Sequence, residues 1–161
     1  MELFFTDNEI QDLFNEKKHL AISPGELFNK MNQKKGHKQA EQFIQRPDGS
    51  FFVLKIRVSN ENILDFSAIL GFVPVNRTKT FLLRRYNGKS HEHRNRLEKE
   101  VPFYDFHIHT ATERYQREGG NEDHYAETTN RYSNIQGALD CLIEDCNIEL
   151  PPSTQLNMQF N

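Results

Sequence analysis

The chain has 161 residues, of which 36% are hydrophobic and 27% are charged, and its formal net charge is −3. This length suits one domain with a modest core, and the acidic balance excludes a whole-molecule attraction to nucleic acid or to an anionic membrane. We expect neither a signal peptide nor a membrane span, because the apolar runs are too short. Cys141 and Cys146 face different ways on a predicted helix, so we expect reduced thiols and a cytoplasmic location.

Two helix start signals lie near the N-terminus. Thr6 followed by Glu9, and Ser23 followed by Glu26, have the form of capping boxes, in which each side chain bonds the other residue's backbone N–H. Apolar residues recur with helical spacing after both signals. The predicted helices span residues 7–18 and 24–33.

Alternating apolar and polar residues bounded by turn signals predict five to six strands after these helices. Gly49, which can take a positive φ, marks a hairpin turn over residues 47–50, and Asn87-Gly88 predicts a second turn of type I′. The predicted strands span residues 40–45, 51–58, 63–73, 78–86, 103–111 and 125–129.

The last predicted helix spans residues 134–146, with Ser133 as its N-cap and apolar residues at helical spacing. The order is therefore two N-terminal helices, a mostly antiparallel sheet of five to six strands and one C-terminal helix, which is an α+β fold. We predict a single domain over residues 1–148. Residues 149–161 have two prolines and little pattern, and we predict a loosely attached tail there.

The segment from Val101 to Tyr125 holds three of the seven histidines and carries the strongest chemical signal in the chain. Along the predicted strand, Asp105, His107 and His109 point to the same face. His93 lies in the charged loop before this strand, and we expect it to join the pair if that loop folds over the strand.

The first of three interpretations is cleavage of a phosphodiester, with RNA as the substrate, by paired histidines without a metal ion. One neutral imidazole takes a proton from the attacking hydroxyl, and one imidazolium gives a proton to the leaving oxygen. Nearby arginines can hold the phosphate charge, and an aromatic ring beside them can stack a base. The predicted catalytic residues are His93, Asp105, His107 and His109, and the predicted substrate-binding residues are Arg85, Arg114 and Tyr115.

The second interpretation is a zinc site, since His-x-His on a strand is a known ligand pattern. His107 and His109 would be two of the ligands. His93 or His124 would complete the set, and Asp105 would bind the metal or orient a ligand. The protein would then be a non-enzymatic module that binds protein or nucleic acid. The third interpretation is structural, because a histidine on a half-buried strand also serves by hydrogen bonding to a neighbour.

Several short motifs between residues 3 and 148 resemble a small family of bacterial and phage proteins whose activity is not established. The motifs are residues 3–13, Asp48-Gly49-Ser50, Ile56-Arg57, residues 81–88, His93-Arg94-Asn95, His107-Ile108-His109 and residues 138–148. The resemblance implies that the two histidine motifs form the family's main polar signature. It also implies a mobile-element or prophage setting, in which small nucleases and toxins are frequent. The leading hypothesis is a toxin-like, histidine-dependent phosphodiesterase or ribonuclease, with the zinc-binding module as the alternative.

Overall fold

The computed structural model describes residues 3 to 152, in which helices pack on one face of an antiparallel sheet. In chain order the elements are α1 (Asp7–Asn15), β1 (Lys18–His19), α2 (Pro24–Asn29), β2 (Asn32–Gln33), β3 (His37–Gln45), β4 (Phe51–Ser59), β5 (Phe66–Val73), β6 (Phe81–Asn87), β7 (His107–Thr110), a π-helix (Tyr115–Gly119), β8 (Ala126–Thr128), α3 (Ile135–Asp145) and β9 (Ile148–Glu149). Within this range β2 to β8 form one seven-stranded antiparallel meander, and β1 and β9 form a separate parallel pair. The predicted α+β class is confirmed, with one more strand in the main sheet than predicted.

Alternation along β4 shows how the sheet divides into two faces. Phe52, Leu54 and Ile56 are fully buried in one core with α1 and α3, and burying each such side chain stabilises the fold by about 1.5–3 kcal/mol. Lys55 and Arg57 point the other way and stay half-buried. We call this second side the outer face. Its rows continue across the neighbouring strands through Ser67, Ile69, Arg85, Asn87, His107 and His109.

Both predicted capping boxes are confirmed, but the helices that they start are shorter than predicted. The Thr6 hydroxyl accepts the Glu9 N–H at 3.1 Å, and the Glu9 carboxylate accepts the Thr6 N–H at 3.0 Å. α1 ends at Asn15 rather than at residue 18, because Lys18 enters β1 and its ammonium donates to carbonyls at the end of the helix. α2 ends at Asn29 rather than at residue 33, because β2 pairs with β3.

The start of α3 differs from the prediction by one residue. Asn134, rather than Ser133, is the N-cap, and its side-chain oxygen accepts the Gly137 N–H at 2.8 Å. Asparagine and serine serve equally well as N-caps, so the sequence does not separate two such neighbours. Cys141 and Cys146 are both buried free thiols, in agreement with the prediction that they do not pair.

The predicted turn at Asn87-Gly88 is wrong, and the difference shapes the candidate site. Asn87 is the last residue of β6, and the Gly88 N–H donates to the Phe66 carbonyl at 2.9 Å, alongside β5. A side chain at position 88 would overlap the Leu64 carbonyl, so glycine is needed for close packing rather than for a turn. The chain continues instead into a long loop, residues 88–106, which returns to the sheet as β7.

Strand β7 is shorter than the strand predicted over residues 103–111. It begins at His107, whereas Phe103 makes an isolated antiparallel bridge with His93. Glu149, the first residue of the predicted tail, pairs with His19 through β9 and β1, and residues 153–161 lie outside the described residues. Between residues 3 and 152, every helix falls short of the length and apolar character that a bilayer crossing demands.

Candidate metal centre

Three buried histidines converge on the outer face, where the loop over residues 88–106 folds back on β7. His107 and His109 project to the same side of β7, as alternation predicts. His93 reaches them from the loop, where two backbone hydrogen bonds of 2.8 and 2.9 Å join it to Phe103. One ring nitrogen from each of the three imidazoles lies within 4.8 Å of the other two. We call His93, His107 and His109 the histidine triad.

Backbone carbonyls fix the tautomers of the two triad members on β7, that is, which ring nitrogen carries the hydrogen. Nδ1 of His107 lies 2.8 Å from the Asp105 carbonyl oxygen, and Nδ1 of His109 lies 2.8 Å from the Asp123 carbonyl oxygen. A carbonyl oxygen can only accept, so each Nδ1 carries the hydrogen of the neutral ring. In both rings the lone pair is therefore on Nε2, as in histidines that bind metal through that atom.

A side-chain amide fixes the third ring. Nε2 of His93 lies 3.0 Å from the side-chain oxygen of Asn95, which also accepts the Ala126 N–H at 2.9 Å. The Asn95 amide nitrogen donates to the Ala126 carbonyl at 2.8 Å, which sets the orientation of the amide. Nε2 of His93 is consequently the donor, and Nδ1 carries the lone pair. The triad thus offers one lone pair from each ring.

Burial keeps the triad neutral. His93, His107 and His109 are 7%, 0% and 3% exposed, respectively. Burial lowers the pKa of His107 to about 4 and that of His109 to about 2, and the charge of Arg85 acts in the same direction. The pKa of His93 is also lowered by burial. At neutral pH the three rings are therefore uncharged, which is the state that binds a metal ion.

One ring nitrogen of the triad is buried without a hydrogen-bond partner, which costs free energy of folding. Nε2 of His107 is the single buried side-chain nitrogen or oxygen without a hydrogen-bond partner in the part of the chain that the structure describes. Leaving such an atom unpaired costs about 1–3 kcal/mol, and in folded proteins it calls for a specific explanation. A metal ion or another ligand between the three rings would supply the missing partner.

The triad is able to hold a metal ion. Among residues 3–152 it is the one group of three or more histidine, cysteine or carboxylate side chains whose ligand atoms lie this close together. Nitrogens at about 2.0–2.1 Å from a tetrahedral zinc lie about 3.3 Å apart, so a small inward movement of the rings brings them to bonding distance. The carbonyl and amide partners of the outer ring nitrogens supply the orientation that metal-bound histidines require.

A charged pair borders the triad. Arg85 lies directly opposite His109 on the neighbouring strand, and its Nε donates to the Asp123 carboxylate at 3.0 Å. Asp123 is 2% exposed, and burial raises the pKa of its carboxyl group although Arg85 opposes that shift. Arg85, which was predicted to bind substrate, thus lies beside the triad, and a buried carboxylate holds its side chain.

Two more histidines surround the triad without joining it. The ring centre of His124 lies 4.8 Å from that of His93, and its Nε2 donates to the Arg94 carbonyl at 3.0 Å. The ring centre of His91, which is exposed, lies 5.6 Å from that of His107. His124 is therefore close to the predicted metal site but outside the three-ligand group.

The structure does not bring the other predicted residues to the centre as expected. Asp105 precedes β7 and is exposed, and it contributes its backbone carbonyl rather than its carboxylate. Arg114 is on the surface in ion pairs with Glu98 and Glu118. Tyr115 is 1% exposed and donates to Glu98 at 2.7 Å, so its ring is not open for stacking a base.

Asp123 was missed because a loop positions it, whereas Asn95 was singled out only through the resemblance, with no role assigned to it. Strand alternation cannot place Asp123, whose signal was only its position next to a histidine. Asn95 follows His93 by two residues, and this spacing was the one local sign of its contact. Comparison with known proteins adds no assignment: no family model, no curated protein and no solved structure matches this chain.

Proposed function

We propose that this protein binds one zinc ion through His93, His107 and His109. The observation that carries the proposal is the convergence of three neutral rings, each with its outer nitrogen already hydrogen-bonded, together with the inner Nε2 of His107, which has no partner. Three nitrogen ligands with a fourth position left over are typical of zinc in catalytic sites. Imidazole also suits nickel and copper, so metal identity is part of the test.

We further propose that the centre hydrolyses a phosphodiester, with RNA as the predicted substrate. His93, His107 and His109 would hold the zinc ion, which would lower the pKa of a bound water so that it could act as the nucleophile near neutral pH. Arg85 would bind an anionic oxygen of the substrate, because its ion pair with Asp123 uses Nε and leaves the two Nη groups out of that contact. Asp123 would hold the guanidinium in place beside His109.

The low pKa values favour this mechanism over the metal-independent one predicted from the sequence. Acid–base cleavage by paired histidines needs one imidazolium as the proton donor. Burial lowers the pKa of both His107 and His109 far below neutrality, so neither ring carries that proton at pH 7. A metal centre needs the opposite, a set of uncharged rings.

A second candidate is a structural zinc in a non-catalytic binding module, and the burial of the site favours it. No triad member is more than 7% exposed. A surface groove of about 560 Å³ is lined by Phe4, Lys79 and Glu122 among others, and not by the triad. A zinc ion would then serve to fasten the loop over residues 88–106 to β7.

Metal analysis tests the first proposal. Untagged protein is stripped with a chelator, titrated with zinc, nickel or copper, and assayed for bound metal. We expect one zinc per chain in the wild type and in His37→Ala, a remote histidine, and none in His109→Ala. A wild-type protein that binds no metal under these conditions overturns the zinc proposal.

Activity assays then separate the two roles of the metal. Stripped and zinc-loaded protein are incubated with short RNAs and with bis(p-nitrophenyl) phosphate. Catalysis predicts cleavage only when zinc is present and a loss of cleavage in Arg85→Gln with zinc still bound. Zinc binding without cleavage supports the structural role, and equal cleavage by stripped protein supports metal-independent histidines.

A further inference from the structure

We infer that Asn95 is a positioning residue that holds His93 in the tautomer and orientation that bind the metal. The inference rests on the proposed zinc centre and deepens it. Asn95 does not touch the metal position. It acts through His93, the triad member that comes from a loop rather than from a strand.

Every hydrogen-bonding position of the Asn95 amide is used. Its oxygen accepts from His93 Nε2 at 3.0 Å and from the Ala126 N–H at 2.9 Å. Its nitrogen donates to the Ala126 carbonyl at 2.8 Å and to the Glu100 carboxylate at 3.1 Å. An amide has two donors and two acceptor lone pairs, so this residue, which is 1% exposed, is complete.

This pattern permits one orientation of the amide. A flipped amide would place its NH₂ group against the Ala126 N–H and its oxygen against the Glu100 carboxylate. Both new contacts would be repulsive in a buried site. The oxygen is therefore fixed toward His93, whose Nε2 has to carry the hydrogen. His93 is thus set to bind through Nδ1, whereas His107 and His109 are set to bind through Nε2.

The Asn95 side chain also joins the loop to the sheet, at a position beside His109. Ala126 lies directly opposite His109 in the register of β8 and β7. Asn95 bonds both backbone groups of Ala126, as a further strand would do at that edge. Asn95 therefore adds a link between the loop that carries His93 and the strand beside His109, in addition to the bridge between His93 and Phe103. This explains how a histidine in an irregular loop keeps a position that metal binding requires.

Zinc affinity, measured by competition with a chromophoric chelator, tests the role. Loss of an outer partner of a metal-bound histidine weakens metal binding by about 10–100-fold, and we expect this loss in Asn95→Ala. Asn95→Asp combined with Glu100→Gln keeps an acceptor for His93. In this buried site, facing the Ala126 carbonyl, the new carboxyl group is favoured in its protonated form, which donates to that carbonyl and accepts from the amide introduced at position 100. We expect this double variant to bind zinc within about threefold of the wild type by the same reasoning. Glu100→Gln alone is the matched control.

A second measurement distinguishes positioning from general support of the fold. If Asn95 acts through His93, then Asn95→Ala changes zinc affinity by less than about twofold in the His93→Cys background, where the thiolate is still a zinc ligand but makes no Nε2–H bond to Asn95. The visible spectrum of the cobalt-substituted protein should also shift in Asn95→Ala. Circular dichroism and thermal unfolding of the metal-free variants show whether each one folds.

The outcomes separate this inference from the proposed function. A wild type that binds no zinc removes both. A wild type that binds zinc, with Asn95→Ala binding equally well, overturns the positioning role alone. An equal loss of affinity in the His93→Cys background also overturns it, since the effect then bypasses His93. If Asn95→Ala does not fold, the double variant decides: affinity more than about tenfold below that of Glu100→Gln contradicts the inference.

Discussion

Lys18 and the histidine triad are two places where the described part of the chain buries ionisable side chains, and they differ in whether the burial is compensated. At the first, Lys18 is 1% exposed and its ammonium donates to four backbone carbonyls at 2.6 to 3.1 Å. The acceptors are the carbonyl oxygens of Leu13, Phe14, Glu16 and Cys146, at the ends of α1 and α3. An ammonium has three donors, so each can find an acceptor and the site is complete without a ligand.

At the second place, the histidine triad, burial is compensated only in part. Each ring has one nitrogen bonded to a carbonyl or an amide, but the inner nitrogen of His107 has no partner. The difference teaches that buried polarity alone does not indicate function. Lys18 joins two helix ends and is explained by architecture, whereas an unpaired buried nitrogen is a cost that a bound ligand would explain.

The largest expected effect is stabilisation by zinc. Free zinc at 1,000 times its dissociation constant should raise the free energy of unfolding by about 4 kcal/mol. Urea unfolding of stripped protein with and without zinc measures this gain. His107→Leu should show no gain, and Lys18→Met should show all of it from a lower baseline. A gain of equal size in His107→Leu would mean that zinc acts elsewhere and would break the comparison.

Acid should destabilise the metal-free protein through His107. Its pKa is about 4 in the folded protein against an ordinary 6.5, so between these values the unfolded chain binds more protons and stability falls as the pH falls. For this residue the loss from pH 7 to pH 4 is about 3 kcal/mol. Urea unfolding at several pH values measures the slope, and His107→Leu should make it shallower. An unchanged slope in that variant would show that His107 is not held neutral by burial.

Lys18→Met should cost about 2 kcal/mol, because it leaves carbonyls at two helix ends without a donor while filling the same volume. Burial lowers the pKa of Lys18 to about 8, so the wild-type ammonium is still charged at pH 7. Lys17→Met is the matched control, since Lys17 is 61% exposed in a surface ion pair and should change stability little. A fully stable Lys18→Met variant would contradict the view that these carbonyls depend on the ammonium.

At Lys18 and at the histidine triad, the sequence predicted the features that depend on local patterns. Capping residues located the helices, and alternation put His107 and His109 on one face. The rest depends on contacts between distant segments. Nothing local distinguishes buried Lys18 from exposed Lys17, because the pairing of β1 with β9 decides it. Similarly, Asn87-Gly88 has the composition of a turn, yet packing against Leu64 fixes its role.

The triad shows the same limit within one site. His93 could be proposed from composition, but its position depends on the loop over residues 88–106 closing onto β7 through the bridge with Phe103. Asn95 and Asp123 had no periodicity to reveal them. Asp105 was expected to bind the metal or to orient a ligand. It lies before the start of β7, and it contacts His107 through its backbone carbonyl rather than through its carboxylate. The facing of His107 and His109 followed from the periodicity of a regular strand, whereas the contacts of the loop residues around them could not be derived from it.

The smallest expected effect is that of Tyr132→Phe, which tests whether support of the β7 backbone affects zinc binding. The Tyr132 hydroxyl lies 2.8 Å from the Asn87 carbonyl and 3.0 Å from the His107 carbonyl, so it supports the backbone of a triad residue without touching its ring. Tyr132→Phe should lower the free energy of unfolding by about 1 kcal/mol. Zinc affinity should stay within about twofold, because ring orientation is set by other partners. Tyr125→Phe, which loses only an exposed bond to Glu127, is the control for removal of a hydroxyl. The free energy of zinc binding could instead fall by as much as the free energy of unfolding in Tyr132→Phe and not in Tyr125→Phe. The backbone of β7 would then control the metal position, and the triad and its scaffold would form one unit.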